Sequence, residues 1–133
     1  MRSTEINLSP KRGIDVEVST SDFLDRYIVN SIRVQKLKVS VIPIWIREYT
    51  DQACEISNSL GGNIMLVDRL RDVHLALWEL ENGIRAPATE AVFCETAKRL
   101  LALNDERHRL KNEIDRRLPT RCAVEREYRP FEE

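Results

Sequence analysis

The chain has few of the residues that staple or punctuate small proteins. It holds three cysteines, four glycines and five prolines, and only 6% of its residues are aromatic. Cys54, Cys94 and Cys122 are odd in number, far apart and outside any C-x-x-C spacing. That excludes a disulfide framework and a thiolate zinc site, and implies three reduced thiols with a structural role. With so little glycine there is no phosphate-cradling loop, no dinucleotide fingerprint and no nucleophile elbow, so no cofactor is implied; Gly61-Gly62 reads as a helix stop.

Charge of one sign is also missing. The 21 Lys and Arg nearly cancel the 22 Asp and Glu, leaving a formal charge of −1. This gives no global electrostatic case for a nucleic-acid partner or an anionic membrane surface. No run approaches the roughly 18 apolar residues of a membrane span, and MRSTEINLSPKRGID lacks the apolar core of a signal peptide, so a cytoplasmic location is expected. What is present, 42% hydrophobic and 32% charged residues over 133 positions, suits one domain with one core.

Periodicity predicts an all-α antiparallel bundle of four main helices with a small pairing of short strands from the two ends. Residues 1–13 read as a polar, mobile leader, 14–128 as the domain and 129–133 as a tail. Ile14, Val16 and Val18 alternate with acidic residues at the period of a strand, and Cys122 to Tyr128 is the one later candidate to pair with it. Ser19, with Asp22 three residues on, is suited to cap a first helix over about Thr20 to Val39. Its apolar stripe is Leu24, Ile28, Ser31, Ile32 and Val39, with Tyr27 at the margin and Asp25, Val29 and Arg33 on a neighbouring stripe.

Pro43 suits the first turn of a second helix that Gly61-Gly62 can end, with Trp45, Tyr49, Ala53, Ile56 and Leu60 facing inward. The β-branched run KVSVIPIWI around Pro43 could equally be extended. Asn63 caps a third helix, Ile64 to Arg85, before Ala86-Pro87. Its stripe of Leu66, Leu70, Val73, Leu77, Leu80 and Ile84 is the clearest in the chain, and His74, Trp78, Glu81 and Arg85 lie about 100° around from it.

The fourth helix, Glu90 to Leu118 with Thr89 as cap and Pro119 as stop, is the anomalous one. Its seam starts with Phe93, Ala97 and Leu100 and ends with Ile114 and Leu118, yet Asn104, Arg107 and Lys111 fill the middle. Leu103 and Leu110 flank it. Burying those two cations alone would cost several kcal/mol each, so they need partners or a wet cavity. Glu81 and Asp25 are the nearest carboxylates.

Two readings stay open. The charged seam could be a buried salt-bridge network that fixes helix register, in a protein-interaction or oligomeric module where VSVIPIWI and the tail, with Tyr128, Pro130 and Phe131, contact a protein partner or a second copy. Alternatively, Arg33, Arg85, Asn104, Arg107 and Lys111, with Asp25 and Glu81, surround a site for an anionic small molecule, a nucleotide, nucleotide-sugar or phosphate, with Trp78 as an apolar wall. A third, weaker reading is a magnesium-dependent nucleotide hydrolase using acidic pairs such as Asp22 with Asp25, Glu48 with Asp51, or Asp68 with Asp72. His74 and His108 read as half-buried structural residues.

Three segments, STSDFLDRYIVNSIR, LWELENGIR and LNDERHRLKNEID, followed by VEREY, resemble an uncharacterised bacterial family, a domain of unknown function. Its members are often encoded beside glycosyltransferases in surface-polysaccharide and lipopolysaccharide loci, with related helical proteins in phages. The resemblance runs from Ser19 to Tyr128. It rests on Ser19, Leu24, Asp25, Arg26, Ile32 and Arg33, then on Leu77, Trp78, Glu79, Glu81, Ile84 and Arg85. Asn104, Asp105, Arg107, Lys111 and Ile114 carry the third segment, and Val124, Glu125 and Tyr128 the last. The longer leader and VSVIPIWI depart from the family. The resemblance implies a helical architecture, a shared polar site and a link to surface-glycan biosynthesis, but no named reaction.

Overall fold

The computed structural model describes residues 12–38, 44–61, 65–85, 89–119 and 121–129. The elements are β1 (Arg12–Ser19), α1 (Thr20–Lys36), α2 (Ile44–Ser59), α3 (Met65–Ile84), α4 (Glu90–Arg117) and β2 (Cys122–Arg129). They form an all-α antiparallel bundle carrying one small two-stranded sheet. The expected leader and tail fall largely on residues 1–11 and 130–133, and Val39, Pro43 and the Asn63 cap on other gaps; all of these lie outside the described residues.

Local chemistry accounts for the helix limits. The Ser19 hydroxyl accepts from the Asp22 amide at 3.1 Å and the Thr89 hydroxyl from the Val92 amide at 3.0 Å, so each satisfies a donor that has no partner within its helix. α1 stops at Lys36, short of the expected Val39, because Lys38 takes a left-handed conformation at φ 53°. Gly61, at the same φ, follows α2, where absence of a Cβ makes this turn cheap.

The two ends of the domain pair antiparallel from Arg12↔Arg129 to Ser19↔Cys122. Gln52 of α2 fastens the outer edge of β2, its amide donating to the Val124 carbonyl and accepting from the Val124 amide, both at 2.9 Å.

The core lies where α1 meets the other three helices. Leu24, Ile28 and Ile32 join Ala53 and Ile56 of α2, Leu70, Val73 and Leu77 of α3, and Leu110 and Ile114 of α4. Phe23 is also buried, although it sits beside the expected stripe, because α2 covers that side of α1: its ring meets Tyr49 edge-on at 5.5 Å. Ile46 is buried at the start of α2.

The seam expected for α4 requires correction. Only Leu110 and Ile114 of this helix are buried, while Phe93 is 45% exposed and Leu101 68%. Arg69 of α3 pairs with Glu106 of α4, and Lys36 at the end of α1 pairs with Glu79 ten residues further along α3. Since α3 and α4 run in opposite directions, α1 ends before the level of the first turn of α4, so Phe93 has nothing from α1 to pack on. The three cysteines are free and exposed, so they are surface thiols and not elements of the packing.

Candidate functional site

The polar middle of α4 meets α1 through two ion pairs of different kinds. Asp25, on the second turn of α1, is 4% exposed. Arg107 grips it at two points, Nε to Oδ1 at 2.9 Å and Nη2 to Oδ2 at 2.6 Å, while His74 of α3 lies 2.6 Å from Oδ1 through Nε2. One carboxylate thus ties three helices. Burial pushes the Asp25 carboxyl up, but the hydrogen bonds and charges of Arg107 and His74 outweigh it and hold the group well below the usual carboxylate range.

Lys111, expected to pair with Glu81 or Asp25, pairs instead with Asp22, at 2.7 Å. The reason is helical geometry: one turn beyond Arg107 on α4 lies opposite one turn nearer the start of α1, because the two helices are antiparallel. The Lys111 hydrogen bond is the main influence that lowers the Asp22 carboxyl, and burial opposes it. A third contact continues the series: Asp115 accepts from the Ser21 amide at 2.9 Å and the Ser21 hydroxyl at 2.7 Å.

Beside Arg107 a cavity of about 520 Å³ lies between α1, α3 and α4. Val29, Ile32 and Arg33 line it from α1, with Leu37 just past its end. His74, Leu77, Trp78, Glu81 and Asn82 line it from α3, with Arg85 just past its end, and Asn104 and Arg107 from α4. Of the residues singled out from the sequence, Arg33, Trp78, Glu81, Arg85, Asn104 and Arg107 therefore converge on one space. Asp25 stands behind Arg107, and Lys111 is not among the lining residues.

The electrostatics of this space are uneven. Arg107 spends two nitrogens on Asp25 and keeps the third, and its side chain remains 26% exposed. Arg33, Arg85 and Glu81 enter no ion pair among the described residues and are exposed. Three guanidinium groups against the carboxylates of Asp25 and Glu81 leave one surplus positive charge. Asn82 and Asn104 add amides that donate and accept, and half-buried Trp78 adds apolar area.

His74 is the member that the sequence left in the background. Its spacing from Trp78 and Glu81 put it on the right face, but its partner, Asp25, lies 49 residues away on another helix. No group of three or more metal-ligating side chains with suitable geometry occurs among the described residues. Asp22 and Asp25, one of the acidic pairs considered for magnesium, are each occupied by a cation partner.

Fold and site together define a helical bundle with an internal ion-pair cluster flooring an open, arginine-bearing cavity. No family model matches the chain, and neither does any curated protein or solved structure. Among the described residues no helix is long and apolar enough to cross a membrane.

Proposed function

We propose that the cavity binds an anionic, phosphate-bearing small molecule, and that the protein is an accessory or ligand-binding protein. The observation that carries this reading is the pair Arg33 and Arg85, two guanidinium groups without an ion-pair partner among the described residues, which line one cavity from α1 and from the end of α3. Arginine matches phosphate oxygens with a planar fork of donors, and a cavity near 520 Å³ falls in the range that encloses a nucleotide-sized molecule. Trp78 offers a wall for a base or sugar face, and Glu81, Asn82 and Asn104 offer partners for hydroxyl groups.

Among such anions a nucleotide-sugar is favoured, because the resemblance to proteins of surface-polysaccharide loci points to glycan biosynthesis. That link rests on the resemblance alone. Thermal unfolding with nucleotides, nucleotide-sugars and phosphate tests the reading. A true ligand at 100 times its Kd stabilises the fold by about 2.7 kcal/mol, and Arg33→Ala or Arg85→Ala, both at exposed positions, abolishes the shift while leaving the unliganded Tm unchanged. No shift with any of these ligands would overturn it.

A second reading has its own observation. Val92 and Phe93 are exposed apolar side chains on the first turn of α4, beyond the end of α1, where a second copy or another protein could cover them. Light scattering distinguishes the two: a monomer at all concentrations removes self-association.

A further inference from the structure

We propose that the ligand of this cavity carries an ammonium group as well as phosphates, held by Glu81 and Trp78, so that among nucleotide-sugars the class it takes bears a free amine on the sugar. The inference rests on the ligand reading above and narrows its substrate class.

The charged groups around the cavity fall into two sets. Asp25, Arg107 and His74 bind one another through contacts of 2.6 to 2.9 Å, so their charges mainly answer each other. Arg33, Arg85 and Glu81 line the same cavity, are exposed, and enter no ion pair among the described residues. The open groups are therefore two cations and one carboxylate, and their complement is a molecule with two negative charges and one positive. A diphosphate diester that also bears an ammonium has that composition. A plain nucleotide-sugar would instead bring its phosphates beside the Glu81 carboxylate with no counter-charge for it.

Glu81 precedes Arg85 by four residues, the order that favours an ion pair within a helix. No such pair forms among the described residues, because α3 ends at Ile84 and Arg85 lies one residue past it. The carboxylate thus keeps its acceptor lone pairs for a ligand instead of neutralising its neighbour. A carboxylate among guanidinium groups weakens binding of any purely anionic molecule and strengthens binding of one that also carries a cation, which is how a site discriminates between them.

Trp78 completes the amine site. It lies three residues before Glu81, so the two are neighbours on one face of α3, and both line the cavity. An indole attracts an ammonium through its π face, most strongly where water is partly excluded, and Trp78 is half-buried. Asn82 and Asn104 supply amide oxygens that can accept from the remaining N–H groups.

Three probes separate charge from shape: UDP-glucose; UDP-glucosamine, in which an ammonium replaces one hydroxyl; and UDP-N-acetylglucosamine, in which the same nitrogen is a neutral amide. Calorimetric titration of the full chain at pH 6.5, where the sugar amine is protonated, gives Kd for each. The expected result is a Kd for UDP-glucosamine about tenfold below the other two, as one ammonium–carboxylate contact beside an indole provides. In Glu81→Gln, a substitution at an exposed position, the three values converge. In Trp78→Leu the preference for the amine shrinks. Equal affinities in the unmodified chain, or a preference undiminished in either variant, would overturn this inference and leave the anion reading in place. Failure of all three probes to bind would overturn it together with the nucleotide-sugar reading.

Discussion

Asp25 and Arg107, 82 residues apart in sequence, meet in a two-point ion pair with contacts of 2.9 and 2.6 Å. Arg107 lines the cavity with Asp25 behind it, so the same contact that joins α1 to α4 also fixes a guanidinium at the cavity wall. For the proposed anion this would lower the entropic cost of binding, because the guanidinium is held before the ligand arrives.

Removing one member of this cluster leaves the rest buried and short of a partner. Arg107→Met is expected to cost about 3 kcal/mol, at the low end for a broken buried pair because the arginine side chain is 26% exposed. His74→Leu, which leaves the two-point pair intact, is expected to cost about 1–2 kcal/mol. Urea unfolding at pH 7 measures both. Equal losses would mean that the arginine does not dominate the cluster.

Acid should release the same contact. A carboxylate whose folded-state pKa is depressed contributes stability that is complete above its unfolded value, near 3.9, and is lost as pH falls towards the folded value. Asp25 and Asp22 are both depressed, so the urea midpoint of the unmodified protein should drop steadily below about pH 4. In Asp25→Asn the midpoint starts lower and falls less steeply. Parallel curves for the two proteins would contradict the assignment.

α4 should tolerate changes very unevenly along its length. Leu110 is fully buried and Leu101, nine residues earlier, is 68% exposed. Leu110→Ala is expected to cost 2–5 kcal/mol by loss of transfer free energy and formation of a cavity, and Leu101→Ala less than about 0.5 kcal/mol. Thermal or urea unfolding of the pair measures the difference. A large effect at Leu101 would indicate that this face is covered in solution.

Much of this was legible before any coordinates, for reasons that differ by element. The α3 stripe, the Ser19 and Thr89 caps and the alternating Ile14, Val16, Val18 segment are each local signals, and each appears in the fold. The offset stripe of Asp25, Val29 and Arg33 was also readable as a second face of α1, and all three side chains lie at the cavity or directly behind it. What could not be read was relative placement. The switch of Lys111 to Asp22 depends on the antiparallel register of α1 and α4. The exposure of Phe93 depends on where α1 stops, which Lys38 decides through a left-handed turn that its residue type does not announce. The His74–Asp25 contact needs three helices at once, and no spacing in a single segment encodes it.

The pairing of β1 with β2 has a mechanical consequence. Because Arg12 faces Arg129 at one end and Ser19 faces Cys122 at the other, a force applied to the chain on either side of the sheet loads its hydrogen bonds one rung after another. Such a zipper parts at low force. The tear then arrives at Ser21 and Asp115, the first contact between α1 and α4, so the helices resist only after the strands have opened.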